Sequence, residues 1–173
     1  EGHKSVTGLK LRDLATGGSL PDNLMSANAY LGAMPIAKAL ETGADVLITG
    51  RCVDSALTLA PLIHEFGWNE RDFDLLSAGS LAGHLIECGP QVTGGLFTDW
   101  DQVPGWENMG SPIVSCTAGG LFTISKPKGT GGLVTPATVA EQLLYYHDLT
   151  DLLEAESVHD VEDLVEHDLL ALE

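Results

Sequence analysis

Basic residues are what this chain has least of. Eight Lys+Arg stand against 25 Asp+Glu in 173 residues, a formal net charge of −17. Nucleic acid and anionic membrane both need a positive face, so neither is an expected partner. Aromatics are scarce too, at 6%. With 44% hydrophobic residues the chain is still globular, and its core must come from aliphatic and small side chains. Cysteine is limited to Cys52, Cys88 and Cys116, far apart and with no CxxC. That excludes a disulfide framework or a zinc finger and fits a reducing cytosol. No apolar run reaches the ~18 residues of a membrane span, and no signal peptide is visible. A cytoplasmic location is therefore expected. The chain begins at Glu1, without Met, on a polar loop, and reads as a piece of something longer.

Along the chain, apolar stretches alternate with turns. A helix is expected over about 34–42, with Pro35 in its first turn and Gly43 at its end. The continuous apolar run "ADVLITG" (44–50) reads as a parallel strand covered on both faces. The next helix should run from Asp54 or Ser55 to about Phe66, kinked or split at Pro61. A third is expected over 71–89, closed by Gly89-Pro90. Its Ala78, Gly79, Ser80, Ala82 and Gly83 weaken helix propensity, which points to close packing against another backbone. Over 91–125, "GGLFTDW", "SPIVSCT" and "GLFTISKP" read as short strands, with a hairpin turn at Ala118-Gly119-Gly120. A last helix starts with Thr135 as cap and Pro136 as first helical residue. Residues 147–173 hold ten acids and no Lys or Arg, yet keep leucines and valines at helical spacing. The expected class is α/β: a mainly parallel central sheet with flanking helices and a small antiparallel β section. The division is a 1–146 α/β domain and a 147–173 acidic amphipathic helical tail.

Five stretches could carry chemistry. In "ITGRCVDSALTLAP" (48–61) a strand end turns into a helix, where open α/β sheets bind ligands. There Arg51 can grip a carboxylate or phosphate through two parallel hydrogen bonds, beside helix amides and Ser55. The plainer reading has Asp54 capping the helix and Arg51 paired with an acid. In "SANAYLGAMP" (26–35), Asn28 can orient a carbonyl and Tyr30 can donate a proton; an Asx-turn and a half-buried Tyr are the alternative. "KPKGTGGLVT" (126–135) sets Lys126 and Lys128 around Gly129, Thr130, Gly131 and Gly132, a local positive well for a phosphate or the pyrophosphate of coenzyme A, or else a simple turn. His84, Glu87 and Cys88 share one helix face, which could pair an imidazole with a thiolate or be inert and buried; a metal would need a further ligand, and none is expected. Gln91, Thr93, Asp99 and Trp100 are candidate pocket linings. His147, His159 and His167 lie among acids and read as solvated.

These stretches also carry a likeness. "SANAYLGAMPIAKALETGADVLITGRCVDSALTLAPLIHEFGW", "AGSLAGHLIECGPQVTGGLFTDW" and "KPKGTGGLVTPATVAEQLLY" resemble the acyclic terpene utilisation protein family AtuA, from about residue 20 to 146. Members are much longer, so the chain is similar to the middle of a larger protein. After "EQLLYY" the family pattern continues as a turn and strands, whereas this tail reads as acidic helix. The resemblance implies a part in breakdown of citronellol- and geraniol-type terpenes through coenzyme A thioesters. The implied reaction acts on a branched 3-hydroxyglutaryl-CoA and releases acetate or an acetyl unit. It carries over no catalytic set.

The residues assigned here are therefore drawn from this sequence. Asp54, His84 and Tyr30 are candidate catalytic groups for a lyase-like carbon–carbon cleavage. Arg51, Asn28, Ser55, Thr93 and Asp99 are candidate substrate contacts, and Lys126, Lys128 and 129–132 would hold phosphates. The expected ligand is an acyl-CoA substrate, with no covalently bound cofactor. The competing expectation is a non-catalytic subunit that binds acyl-CoA or assembles with a partner or a second copy through the 147–173 helix.

Overall fold

The computed structural model describes residues 16–19 and 29–144. In chain order the described elements are α1 (Ala33–Leu40), α2 (Ala56–Phe66), α3 (Phe73–Glu87), strands β1 (Ile113–Cys116) and β2 (Phe122–Ser125), and α4 (Pro136–Leu144). Three short 3-10 turns, Gly89–Gln91, Trp100–Gln102 and Trp106–Asn108, shape the segment between α3 and β1. The expected 147–173 helix, and Asn28, lie outside the described residues.

Helices form where local signals agree. α2 ends on Gly67 at φ 64°, and the Trp68 amide reaches back to the Ile63 carbonyl at 3.2 Å, the six-to-one bond of a glycine-terminated helix. Gly89, at φ 62°, follows the end of α3. Thr135 caps α4, its hydroxyl accepting the Thr138 amide at 3.2 Å, and Pro136 is the first helical residue. Pro61 does not split α2, which is helical throughout Ala56–Phe66. Proline deprives only the Leu57 carbonyl of a donor, and both residues lie on the exposed side.

The two apolar clusters share α3. In the first, Ala33, Ile36, Ala37, Ala56, Ala60, Ile63 and Trp68 pack α1 on α2, with Leu75 and Leu76 of α3 against them. In the second, Ala82, Leu85, Val92, Phe122 and Val139 join the later turns of α3 to the hairpin and α4. Trp68 ties the two together, its Nε1 donating to the Ala118 carbonyl of the hairpin turn at 3.0 Å. The small residues of α3 do what their composition suggested. A Cβ on Gly83 would lie 2.7 Å from the Ser55 carbonyl oxygen, and one on Gly79 would lie 2.9 Å from the Trp68 ring.

The sheet differs from expectation. Among the described residues the one sheet is β1–β2, antiparallel, with Ile113 opposite Ser125 and Cys116 opposite Phe122. Parallel pairing is confined to isolated bridges, Leu31 with Cys52 and Met109 with Gly131. "ADVLITG" is not a strand, and "GGLFTDW" forms turns. A strand needs a neighbour for its backbone bonds. No described backbone group bonds to 44–50, so apolar continuity alone does not make a strand there. A mainly parallel central sheet is thus not present among the described residues.

Candidate functional site

Leu31 and Cys52 bring two of the sequence candidates together. The Leu31 amide donates to the Arg51 carbonyl at 3.0 Å, and the Val53 amide donates to the Leu31 carbonyl at 3.0 Å. This short parallel clasp sets Arg51 against Tyr30, with the guanidinium carbon 4.8 Å from the ring centroid. That is cation–π distance. Both side chains are exposed, Tyr30 by 53%. No carboxylate among the described residues pairs with Arg51. Stacking on Tyr30 orients the planar guanidinium while its N–H edge still faces water, ready for a planar or tetrahedral anion.

The same turn leads into α2. Asp54 is exposed, and Ser55 occupies the N-cap position without making a side-chain cap bond. Its hydroxyl is therefore not engaged by the helix amides, of which those of Ala56, Thr58 and Leu59 donate instead to the Val53 and Ser55 carbonyls at 2.9, 3.1 and 3.0 Å. The place of Ser55 is fixed by α3, because Gly83 allows the two backbones to approach. Tyr30, Arg51, Asp54 and Ser55 thus belong to one turn region, held by the Leu31 clasp and by α3.

The remaining candidates lie elsewhere. His84 donates from Nε2 to the Gln142 carbonyl at 3.1 Å, while the Gln142 side-chain amide donates to the His84 carbonyl at 3.4 Å. That reciprocal pair clips α4 to α3. Cys88 donates to the Glu87 carboxylate at 2.7 Å. Thr93 is 0% exposed, and its hydroxyl sits 2.6 Å from the Gly110 carbonyl, so it serves internal packing. Asp99 is exposed and opens the Trp100–Gln102 turn.

The GTGG loop closes inward. The amides of Thr130, Gly131 and Gly132 donate to the carbonyls of Pro127, Asn108 and Pro104 at 3.4, 2.7 and 2.7 Å. The Lys126 ammonium donates to the Thr130 carbonyl at 2.7 Å. Gly131 also meets Gly105 backbone to backbone, leaving no room for a Cβ. These amides are engaged by protein, while Lys128 and Gly129 stay exposed.

A feature absent from the sequence reading is a groove of about 330 Å³ between α2 and β1, lined by Thr58, Pro61, Leu62, Glu65, Phe66, Val114 and Cys116. Burial pushes the Cys116 thiol above its usual value of 9.0. The helical spacing of 58, 61, 62 and 65 was legible, but nothing in the sequence set β1 across from it. A second hollow, about 350 Å³, is lined by Arg71, Asp72, Phe73, Asp74 and Leu75 at the start of α3.

Among the described residues the fold and the turn define a class: four α-helices and a small antiparallel hairpin, presenting a guanidinium over an aromatic ring next to a helix N-terminus. The chain belongs to the acyclic terpene utilisation family AtuA, whose family profile matches residues 3–164. Membership implies involvement in acyclic terpene utilisation. No curated protein and no solved structure matches the chain. Among the described residues, no helix is long and apolar enough to cross a membrane.

Proposed function

We propose that this chain acts in the cytoplasm on a branched hydroxyacyl-CoA formed during acyclic terpene breakdown, holding its acidic end at the 51–55 turn. The observation that carries the reading is the exposed Arg51 guanidinium stacked on Tyr30 without a carboxylate partner among the described residues. In a chain with eight Lys+Arg and a net charge of −17, a cation left facing solvent is available to a ligand. Arg51 binds a substrate carboxylate or phosphate, and the Ser55 hydroxyl adds a hydrogen bond from the start of α2. Asp54, exposed on the same turn, takes the 3-hydroxyl proton as the carbon–carbon bond breaks to a carbonyl and an enolate, then returns that proton to the enolate carbon, and Tyr30 holds the guanidinium in place. His84 and Thr93 fall outside this arrangement, because His84 Nε2 and the Thr93 hydroxyl are bonded to backbone carbonyls.

Calorimetry with coenzyme A and short branched acyl-CoAs tests the reading, on the wild type and on Arg51→Ala. Loss of a charge-assisted pair should weaken binding by about 10- to 100-fold. No heat with any thioester, or equal binding by both proteins, rejects it. Binding without cleavage supports instead a non-catalytic subunit, a reading favoured by the apolar side chains left exposed at Val46 and Ile48.

A further inference from the structure

The groove between α2 and β1 has no role in the turn chemistry, yet it runs on from that turn. Thr58, Pro61, Leu62 and Glu65 fall at i, i+3, i+4 and i+7 and form one wall. Asp54 continues the same row one turn earlier. The chain is already wound there, since the Ala56 amide donates to the Val53 carbonyl at 2.9 Å and Ser55 sits at φ −70°, ψ −14°. Four residues of helix place Asp54 about 6 Å from Thr58 along the axis. The facing wall is Val114 and Cys116, alternate residues of β1 and both half-buried. Phe66 lines the far end, its ring 5.6 Å from that of Trp68.

The lining selects a ligand by what it lacks. Between Thr58 at the near end and Glu65 toward the far end, the side chains offer carbon and one thiol. Burial raises that thiol above 9.0, so it is uncharged at neutral pH. No Lys or Arg lines the groove, whereas Glu65 does. A second acidic group would meet a like charge there. A hydroxyl or amide placed along the middle would lose water without finding a partner. The volume of about 330 Å³ is that of a small-molecule site. From Thr58 to Phe66 the helix advances about 12 Å, which about ten extended carbon–carbon bonds of about 1.2 Å each would span.

We propose that this groove receives the uncharged hydrocarbon chain of the molecule whose acidic end is held at the 51–55 turn, an aliphatic chain of up to about ten carbons. The inference rests on the acid-binding role given to Arg51 above. Charge fixes the direction of the ligand. Its acidic end stays by Arg51, in front of the groove, and its carbon chain runs past Asp54 and Thr58 toward Phe66, away from any group that would need a countercharge. Leu62 and Val114 grip the chain from the two walls, and Phe66 limits its length. Apolar surface leaves water on both sides of the contact, which is the gain that longer chains would add.

The test measures binding of straight-chain acyl-CoAs, from acetyl to myristoyl, to the full 173-residue chain by calorimetry. Affinity should rise about two- to fourfold per methylene and level off beyond about ten carbons. Thr58→Trp, which fills the near end, should cut the gain from acetyl to decanoyl by about tenfold or more. Decanoyl-CoA should slow alkylation of Cys116 by iodoacetamide about fivefold or more, read at that cysteine by peptide mass mapping, and acetyl-CoA should not. A series flat in chain length overturns the proposal, as does a rising series in which Cys116 stays equally reactive. If Thr58→Trp fails to fold, protection of Cys116 in the wild type still decides. Arg51→Ala separates this claim from the one it rests on. A flat series that Arg51→Ala weakens throughout rejects the groove and leaves the acid-binding turn standing. A rising series indifferent to Arg51→Ala takes the acidic end away from the turn, and the joint site falls with it.

Discussion

Replacing Gly83 with alanine adds one methyl group where α3 meets the start of α2. That methyl would lie 2.7 Å from the Ser55 carbonyl oxygen, 2.8 Å from its Cα and 2.9 Å from its Cβ. Carbon atoms pack best at about 3.5–4.0 Å, so α2 must retreat by most of an ångström or the helices must slide. Two of the three neighbours are backbone, which no rotamer change relieves. Two effects oppose each other. Alanine in a helix interior gains roughly 0.5–1 kcal/mol over glycine, while overpacking of a tight interface costs about 1–3 kcal/mol. The steric term wins, for a net loss of about 1–2 kcal/mol. In a domain of this size that lowers Tm by roughly 2–8 °C. Urea unfolding followed by tryptophan fluorescence reads it well, because Trp68 is buried in the adjoining cluster. Gly119→Ala is the control, since a Cβ there meets nothing within 4 Å and its φ is ordinary. Gly119→Ala should leave the midpoint within about 0.5 kcal/mol of wild type. A Gly83→Ala midpoint equal to or above that of wild type would refute the claim that backbone contact sets the distance between α2 and α3.

Other outcomes follow from the same geometry. Gly131→Ala, whose methyl would overlap the Gly105 carbonyl, should destabilise at least as much as Gly83→Ala in the same urea assay. Thr135→Ala removes the α4 cap and should cost about 1 kcal/mol, read as a fall in midpoint without a change in slope. Burial raises the Cys116 thiol above 9.0, so its alkylation by iodoacetamide at pH 8 should be slower in the folded chain than in urea. The sign for stability follows: above pH 9.0 the unfolded thiol loses its proton before the folded one does. Stability is therefore lost as pH rises through that window, and Cys116→Ser should flatten that part of the profile.

Several features were readable from residue order because their causes are local. Glycines follow the ends of α2 and α3, Thr135-Pro136 opens α4, and Ala118-Gly119-Gly120 turns the hairpin. Gly79 and Gly83 announced a close approach, although not that Trp68 and Ser55 would be the neighbours. The site was legible only in part. Arg51 stood out by rarity and position, and Tyr30 as a polar side chain among small ones, but their stacking depends on the Leu31–Cys52 bridge. His84 looked equally available, yet α4 arrives to engage its ring nitrogen. The GTGG loop looked like an exposed row of amides, but its donors meet the carbonyls of Pro104 and Asn108, more than twenty residues earlier in the chain.

By itself the sequence determined the described helices, the glycines after α2 and α3, the Thr135 cap of α4, the small-residue seam on α3 and the family likeness. Each rests on hydrogen bonds within a few residues or on patterns along one segment. Tertiary structure alone decided whether Ala44–Gly50 is a strand, which polar side chains face water, and that Arg51 lies on Tyr30 rather than against an acid. A helix satisfies its own backbone, whereas a strand edge, a buried hydroxyl or a lone guanidinium takes its character from whatever segment comes to lie beside it.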